Sequence, residues 1–559
     1  MQLTRREWLG YGAASAGLML VSGRARAGIQ SAPALTGVVD RVRAFAAADL
    51  AAKGFPGMQI ALVAPGGAAA TLAVGASELD RGTPASPGQL FQIGSITKSL
   101  SALAAFVLAE RGRLDLSAKV QDLLPDLPLP AQPITVAHLL EHSSGLPNAL
   151  SDVNALSLPQ GRLWTGFAPG SRFAYCNLGY QLLGTIIARA AGTGFPQALE
   201  QLVLRPIGMT RARGAIQMRD RALYAEGHVR FREDIPWMPG ARLTEARWVE
   251  LENAGGSVAA TAADMVAYSR TILQLAGGGQ TPILSPAWAR RYVTATIDDD
   301  TPGARYGNGL VHMKADDRPV LRHTGGMTGF SSSFTADPAA GVAAYASVNV
   351  GGAGGYRPNE MTEYAVALLR AAAQGQPLPA ERQPRKPPQL PDPEQVAGRW
   401  ISADGREFTV QVRDGAIQVA AGGVERPLVL QGGGLVTDHP ALAPYLLAAV
   451  PGEQQVVRLG GRLFGKGVAP PMPATAPRVA ALAGNYLNAA SWGGNRMAVH
   501  ALGDRLYVGT TALTEASDGS WRSVDPDGAS ERLWFEQPAA GRPQRLNFSG
   551  SVYTRLADG

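Results

Sequence analysis

The sequence predicts an α+β protein: an antiparallel sheet beside a helical lobe, followed by small antiparallel β-barrel repeats. Three observations predict it. Between residues 35 and 372, strand-like segments lie at both ends and helical ones in the middle, so the sheet has to be assembled from the two ends of that stretch. Residues 377–393 hold seven prolines with little hydrophobic content, which reads as a stiff extended linker and a domain boundary. Beyond it, Val396-Ala397-Gly398-Arg399-Trp400 and Leu482-Ala483-Gly484-Asn485-Tyr486 lie 86 residues apart, each opening a run of short alternating strands with tight turns.

In chain order, the pattern predicts a helix over 35–50 and a hairpin over 58–63 and 71–74 around Pro65-Gly66-Gly67. Strands are expected over 320–324, 331–335 and 342–350. In the repeats, 407–412 alternates into the turn Asp414-Gly415, and 496–502 into Gly503-Asp504. The resulting division is 1–27, an export signal; 35–372, the mixed unit; 373–394, the linker; and 395–469 and 478–559, the repeats. Whether the repeats are two barrels or halves of one is not decided at this level. The barrels are expected to influence substrate choice by sending a loop toward the cleft between sheet and helices.

A chain of 559 residues is too long for one core, and 46% hydrophobic with 17% charged residues describes a globular protein, not a disordered one. Thr4-Arg5-Arg6-Glu7-Trp8-Leu9 is a twin-arginine pattern, followed by a short apolar run and Ala25-Arg26-Ala27. Cleavage after Ala27 and a periplasmic location are expected, with no stable membrane span afterwards. The signal carries four arginines and one glutamate, so the net charge falls from +6 to +6 − 3 = +3, too small and scattered for a nucleic-acid partner. Cys176 is the only cysteine, which excludes an intramolecular disulfide.

The first chemical motif is Ser95-Ile96-Thr97-Lys98, preceding the apolar spacing Ile96, Leu100, Leu103, Val107. Ser95 is placed at a helix N-terminus, where free amides and the dipole favour developing negative charge. Residues three apart share a helix face, so the Lys98 amine can approach the Ser95 hydroxyl. Lysines number six against 45 arginines. Lysine can lose its proton when desolvated and arginine effectively cannot, which marks Lys98 as a proton-transfer group.

The second motif is Tyr175-Cys176-Asn177, in a loop leading into a helix over 178–191. In extended backbone the phenol and the amide point the same way, the phenol to relay a proton and the amide to hold lysine and substrate. The third is Arg322-His323-Thr324-Gly325-Gly326, at a strand end before a hairpin. Such an edge can align an extended substrate, and the Gly326 amide can complete an oxyanion hole with that of Ser95.

Serine-x-x-lysine, tyrosine-x-asparagine, and lysine or histidine followed by threonine and glycine, in this order, resemble the serine β-lactamase and penicillin-binding protein superfamily, in its class C-like branch. The stretches from Leu139 to Leu146, Thr261 to Asp264 and His323 to Phe330 support the match, which covers roughly 35–370. The resemblance implies an α/β sandwich beside a helical lobe and acyl-enzyme chemistry, with Ser95, Lys98 and Tyr175 catalytic and Asn177, His323, Thr324, Gly325 and Gly326 binding substrate or oxyanion. It implies no metal and no organic cofactor. Lipocalin-like barrels after such a domain resemble the architecture of bacterial D-aminopeptidases, and barrel-bearing relatives include esterases. The implied activity is therefore an exported D-aminopeptidase- or D-amino-acid-amidase-like hydrolase, or an esterase, acting on a small-molecule or peptide substrate, D-amino-acid-containing ones among them. The alternatives are a D-alanyl-D-alanine carboxypeptidase or β-lactamase, and a non-catalytic penicillin or peptidoglycan sensor.

Two further patterns bear on the chemistry. His138-Leu139-Leu140-Glu141-His142 fits an inverted zinc-protease pattern, but Ser143-Ser144-Gly145-Leu146-Pro147 ends the helix at once. His323 stands where the resemblance expects lysine; neutral histidine removes a fixed positive charge, and Arg322 points to the opposite strand face. Substrates without a carboxylate at that end are then favoured over β-lactams.

Overall fold

The computed structural model describes residues 33–149, 156–232, 235–386, 389–413, 415–488, 496–524, 530–536 and 541–557. The export signal expected over 1–27 lies outside them, as does Asp414 of the turn Asp414-Gly415. No described helix is long and apolar enough to cross a membrane.

The first domain begins with helix α1 (Pro33–Lys53) and the hairpin of β1 (Gly57–Val63) and β2 (Ala69–Glu78). The helical part contains α2 (Thr97–Glu110), α3 (Asn177–Ala191) and α4 (Ala262–Ala276). Strands β3 (Leu310–Ala315), β4 (Arg318–Met327), β5 (Phe330–Asp337) and β6 (Val342–Val348) follow, and α5 (Asn359–Ala373) closes the domain.

The nine-stranded sheet runs Thr83–Pro84, β2, β1, β6, β5, β4, β3, Arg305–Gly307, Ile297–Asp298. Its two ends in sequence meet in the middle, where β1 pairs antiparallel with β6 in the register Ile60↔Ala346. In β6, Val342, Ala344, Ala346 and Val348 join the core formed with α1 and α5, while Ala343 and Tyr345 join the core formed with α2 and α4. Both faces are covered, so β6 reads Val-Ala-Ala-Tyr-Ala-Ser-Val without polar alternation. Helix α1 meets the sheet through Leu35, Val38, Val42 and Phe45, a three-to-four spacing that forms one apolar stripe.

Helix α2 lies at the centre of the domain. It is buried from Thr97 to Ala109, not only on the expected stripe, and its polar members find partners: Ser101 Oγ donates to Ala254 O at 2.8 Å and Ser99 Oγ lies 2.8 Å from Tyr268 Oη. Helix α4 starts with a capping box in which Thr261 Oγ1 accepts from Asp264 N and Asp264 Oδ2 accepts from Thr261 N.

The repeats form two separate sheets. The second is a closed eight-stranded barrel between Gly484 and Arg555. The first is a nine-stranded antiparallel sheet whose edge strands, Val424–Pro427 and Val429–Gln431, flank a single residue. No ladder joins them; one chain segment, continuous through Leu428, whose N donates to Ile417 O at 2.9 Å, supplies both edges, so this repeat is nearly but not fully a barrel. The proline-rich segment is not a free spacer. Its carbonyls are taken up by the first domain: Pro379 O accepts from Arg41 at 3.4 Å and Ala380 O from Tyr364 Oη at 3.3 Å. An extended chain has no internal hydrogen bonds, so such partners hold it down.

Candidate active site

Ser95 sits in a 3-10 turn, Gly94–Ile96, that leads directly into α2. Gly94 has φ 53°, and a Cβ there would lie 2.7 Å from Gly326 N. At Gly325 a Cβ would overlap Ile93 O and Ser332 Oγ. The two glycines let β4 lie directly against the turn that carries Ser95. Gly325→Ala is expected to destabilise the protein by about 1–3 kcal/mol through overpacking. Denaturant unfolding checks this, and an unchanged midpoint would count against the tight contact.

Lys98 is fully buried. Its Nζ lies 3.1 Å from Ser95 Oγ, 2.8 Å from Asn177 Oδ1 and 2.9 Å from Gly255 O. Burial lowers its pKa from 10.5 to about 7. The phenol of Tyr175 is hydrogen-bonded to Ser95, and burial raises its pKa, so it stays protonated near neutrality. Tyr175 and Asn177 do not share an extended strand. Asn177 is the first residue of α3, and Cys176 caps that helix through Sγ, which accepts from Gly179 N at 3.2 Å. Burial pushes the Cys176 thiol up to about 12.

Between Ser95 and β4 lies a cleft of about 710 Å³, lined among others by Tyr175, Asn177, Thr324 and Gly326. Strand β3 pairs with β4 only as far as Val311↔Arg322, so Thr324 to Gly326 are free of a β3 partner. His323 Nδ1 lies 2.7 Å from Thr324 O and therefore donates; Nε2, 3.3 Å from Tyr306 Oη, accepts. Burial and nearby Lys98 lower the His323 pKa to about 4, leaving it neutral at pH 7. Arg322 also borders the cleft, but its guanidinium is taken up by Glu363 at 2.5 Å. Gly325 packs behind the cleft and does not line it.

Sequence reasoning missed the Gly255 carbonyl and Arg357. The half-buried Arg357 lines the cleft beside Gly326 and has no carboxylate partner among the described residues. A fixed cation without a carboxylate partner among the described residues is therefore present in the cleft, supplied by the loop before α5, whereas Arg322 of β4 is paired with Glu363. As one of 45 arginines, outside any motif, it carried no local signal. No described barrel residue lines the cleft.

The residues of the zinc-like pattern have separate positions. The helix ends at Leu140; His138 Nδ1 accepts from Thr135 N at 3.2 Å, while His142, at φ 57°, accepts from Cys176 N at 3.0 Å. His142 thereby ties its loop to the Tyr175 segment, with Ala174 N donating to His142 O at 2.8 Å.

The β-lactamase family profile matches residues 42–369. Penicillin-binding protein 4* of Bacillus subtilis (strain 168) is 26% identical over 287 residues, 46% of this chain and 60% of that protein. Protein flp of Staphylococcus aureus (strain N315) is 29% identical over 176 residues, 29% of this chain and 35% of that protein. The matches thus span less than two thirds of either relative's own length. The octameric penicillin-binding protein homologue of Pyrococcus abyssi superposes with a TM-score of 0.55 at 23% identity, covering 77% of this chain and 100% of that one. A family match over more than half of the chain, on a fold shared with a penicillin-binding protein homologue, makes this protein a member of the β-lactamase family.

Proposed function

We propose that the protein is a serine hydrolase that passes an acyl group through Ser95, with neutral Lys98 as the base. The observation that carries this reading is the Lys98 environment. A neutral amine has two hydrogens and one lone pair. Asn177 Oδ1 and Gly255 O accept the two hydrogens, which leaves the lone pair for the Ser95 hydroxyl at 3.1 Å. Ser95 attacks a carbonyl as Lys98 takes its proton; Tyr175 passes a proton to the leaving group and is refilled from Lys98; water then attacks the acyl-enzyme by the reverse relay. The amides of Ser95 and Gly326 hold the oxyanion, and the open edge of β4 at Thr324 aligns the substrate.

The preferred substrates are D-aminoacyl amides or esters, because neutral His323 offers no fixed charge. A second reading, peptides ending in D-alanyl-D-alanine or β-lactams, is favoured by the Arg357 guanidinium in the cleft, which is hydrogen-bonded to Tyr356 O but has no carboxylate partner among the described residues. Steady-state turnover of D-aminoacyl amides, esters, D-alanyl-D-alanine peptides and β-lactams by wild type and Arg357→Ala separates the two. Under the first reading uncharged substrates lead and Arg357→Ala changes them less than about threefold. Under the second, Arg357→Ala lowers kcat/KM for the carboxylate-bearing substrates about 10-fold or more, the size of a lost hydrogen bond to charge. Labelling at Ser95 without turnover of any member of the panel would instead point to a sensor.

A further inference from the structure

The closed barrel touches the first domain on the loop that backs the cleft. Trp164 Nε1 donates to Ser530 O at 2.8 Å, Ser530 Oγ donates to Gly145 O at 3.1 Å, and Ser157 N donates to Gly550 O at 2.8 Å. Trp164 is buried, with Trp534 4.9 Å away edge-on and the Arg532 guanidinium 5.0 Å from its ring. A buried indole ringed by hydrogen bonds makes this contact a fixed one.

Glu531 lies between those anchored neighbours. Its carboxylate accepts from Asn148 N at 2.6 Å and from Ser549 Oγ. Asn148 Oδ1 in turn accepts from Asn177 N and from Asn177 Nδ2, both at 2.9 Å. The two ends of a side-chain amide are nearly equal in size, so hydrogen bonds decide which way it faces. Asn148 takes the NH₂ end of Asn177, which leaves Oδ1 for Lys98.

We propose that the second barrel positions the lysine base: Glu531 holds Asn148, and Asn148 holds Asn177 with its oxygen toward Lys98. Glu531 and Asn148 are positioning residues that touch neither substrate nor Ser95, and the proposal rests on Lys98 being the base. If Asn177 turned over, one Lys98 hydrogen would lose its acceptor and the lone pair would no longer be held toward Ser95. The barrel thereby acts on the reaction from behind the cleft, from the Glu531 carboxylate through the backbone N–H and side chain of Asn148 to Asn177 and Lys98.

The test uses the full-length protein and the saturable labelling of Ser95 by a fluorophosphonate, read as a maximal rate and a half-saturating concentration. Glu531→Ala is expected to lower the maximal rate about 10-fold with little change in half-saturation, the size of one lost hydrogen bond to charge. Asn148→Ala should lower it at least as much, and adding Glu531→Ala to Asn148→Ala should cost nothing further, because the relay is already broken. Glu531→Gln keeps an acceptor for Asn148 N and should restore most of the rate, which also covers the case in which Glu531→Ala fails to fold. Asn148→Asp keeps both acceptor bonds while adding negative charge, so it should move the acid limb of the labelling rate to higher pH. The neighbouring His142, His323, Tyr175 and Cys176 are all held neutral there, and the remaining titratable group facing Asn148 is Glu531, whose pKa burial raises; a limb that persists in Glu531→Gln and is lost in Lys98→Arg reports Lys98. A wild-type maximal rate in Glu531→Ala, losses that multiply in the double variant, or an unmoved limb in Asn148→Asp would each overturn the proposal. If Ser95→Ala still labelled, the function proposed above would fall; if Ser95→Ala and Lys98→Arg were inert while the relay variants matched wild type, only the relay would fall.

Discussion

Ser95→Ala is expected to abolish covalent labelling by a fluorophosphonate and to lower turnover by at least about 1000-fold. The expectation follows from geometry that converges on one oxygen. Lys98 Nζ lies 3.1 Å from Ser95 Oγ, Tyr175 is hydrogen-bonded to the same residue, and the turn that carries it opens a helix of 14 residues. Removing the hydroxyl leaves the cleft, the oxyanion donors and the open edge of β4 intact, so substrate binding should survive. The loss therefore belongs in kcat more than in KM. Full labelling of Ser95→Ala would place the nucleophile elsewhere.

Lys98→Arg should lower turnover by about 100- to 10000-fold, the range of a lost general base. Arginine keeps the charge but cannot give up its proton, and a planar guanidinium cannot direct a lone pair at Ser95. In wild type the sign of the pH effect follows from the same group. Under the proposed function Lys98 works when deprotonated, and burial has lowered its pKa from 10.5 to about 7. Near pH 7 about half of the lysines are then neutral, a gain on the order of a thousandfold over an unperturbed lysine. Below that pKa kcat/KM should fall tenfold per pH unit as Lys98 takes up a proton, with a plateau above it. An acid limb that persisted unchanged in Lys98→Arg would assign the base to another group. Tyr175, raised by burial, has the wrong protonation state for that role near neutrality and suits a proton relay instead.

What the sequence determined by itself was local in origin. Ser95 and Lys98 meet because they are three residues apart at a helix start, and the spacing alone predicts it. The hairpin around Pro65-Gly66-Gly67 and the strands at both ends of the first domain follow from turn residues and alternation within short windows. The repeat at 396 and 482 announced two similar units, because the same opening precedes two separate sheets.

Tertiary structure alone decided the rest. The Gly255 carbonyl is 157 residues from Lys98, and Asn148 is 383 residues from Glu531; neither pairing leaves a mark in a local window. Arg357 looks like any other arginine until α5 brings its loop to the end of β4. His323 was legible as a mostly neutral side chain, and only burial, with Lys98 beside it, lowers its pKa further to about 4. One repeat closes and the other does not, a difference that shows only in how the strands pair across each unit. A side chain's identity is set by its codon and its local conformation by its neighbours in sequence. Its partners across the fold are set by which surfaces pack together, and packing depends on the whole chain at once.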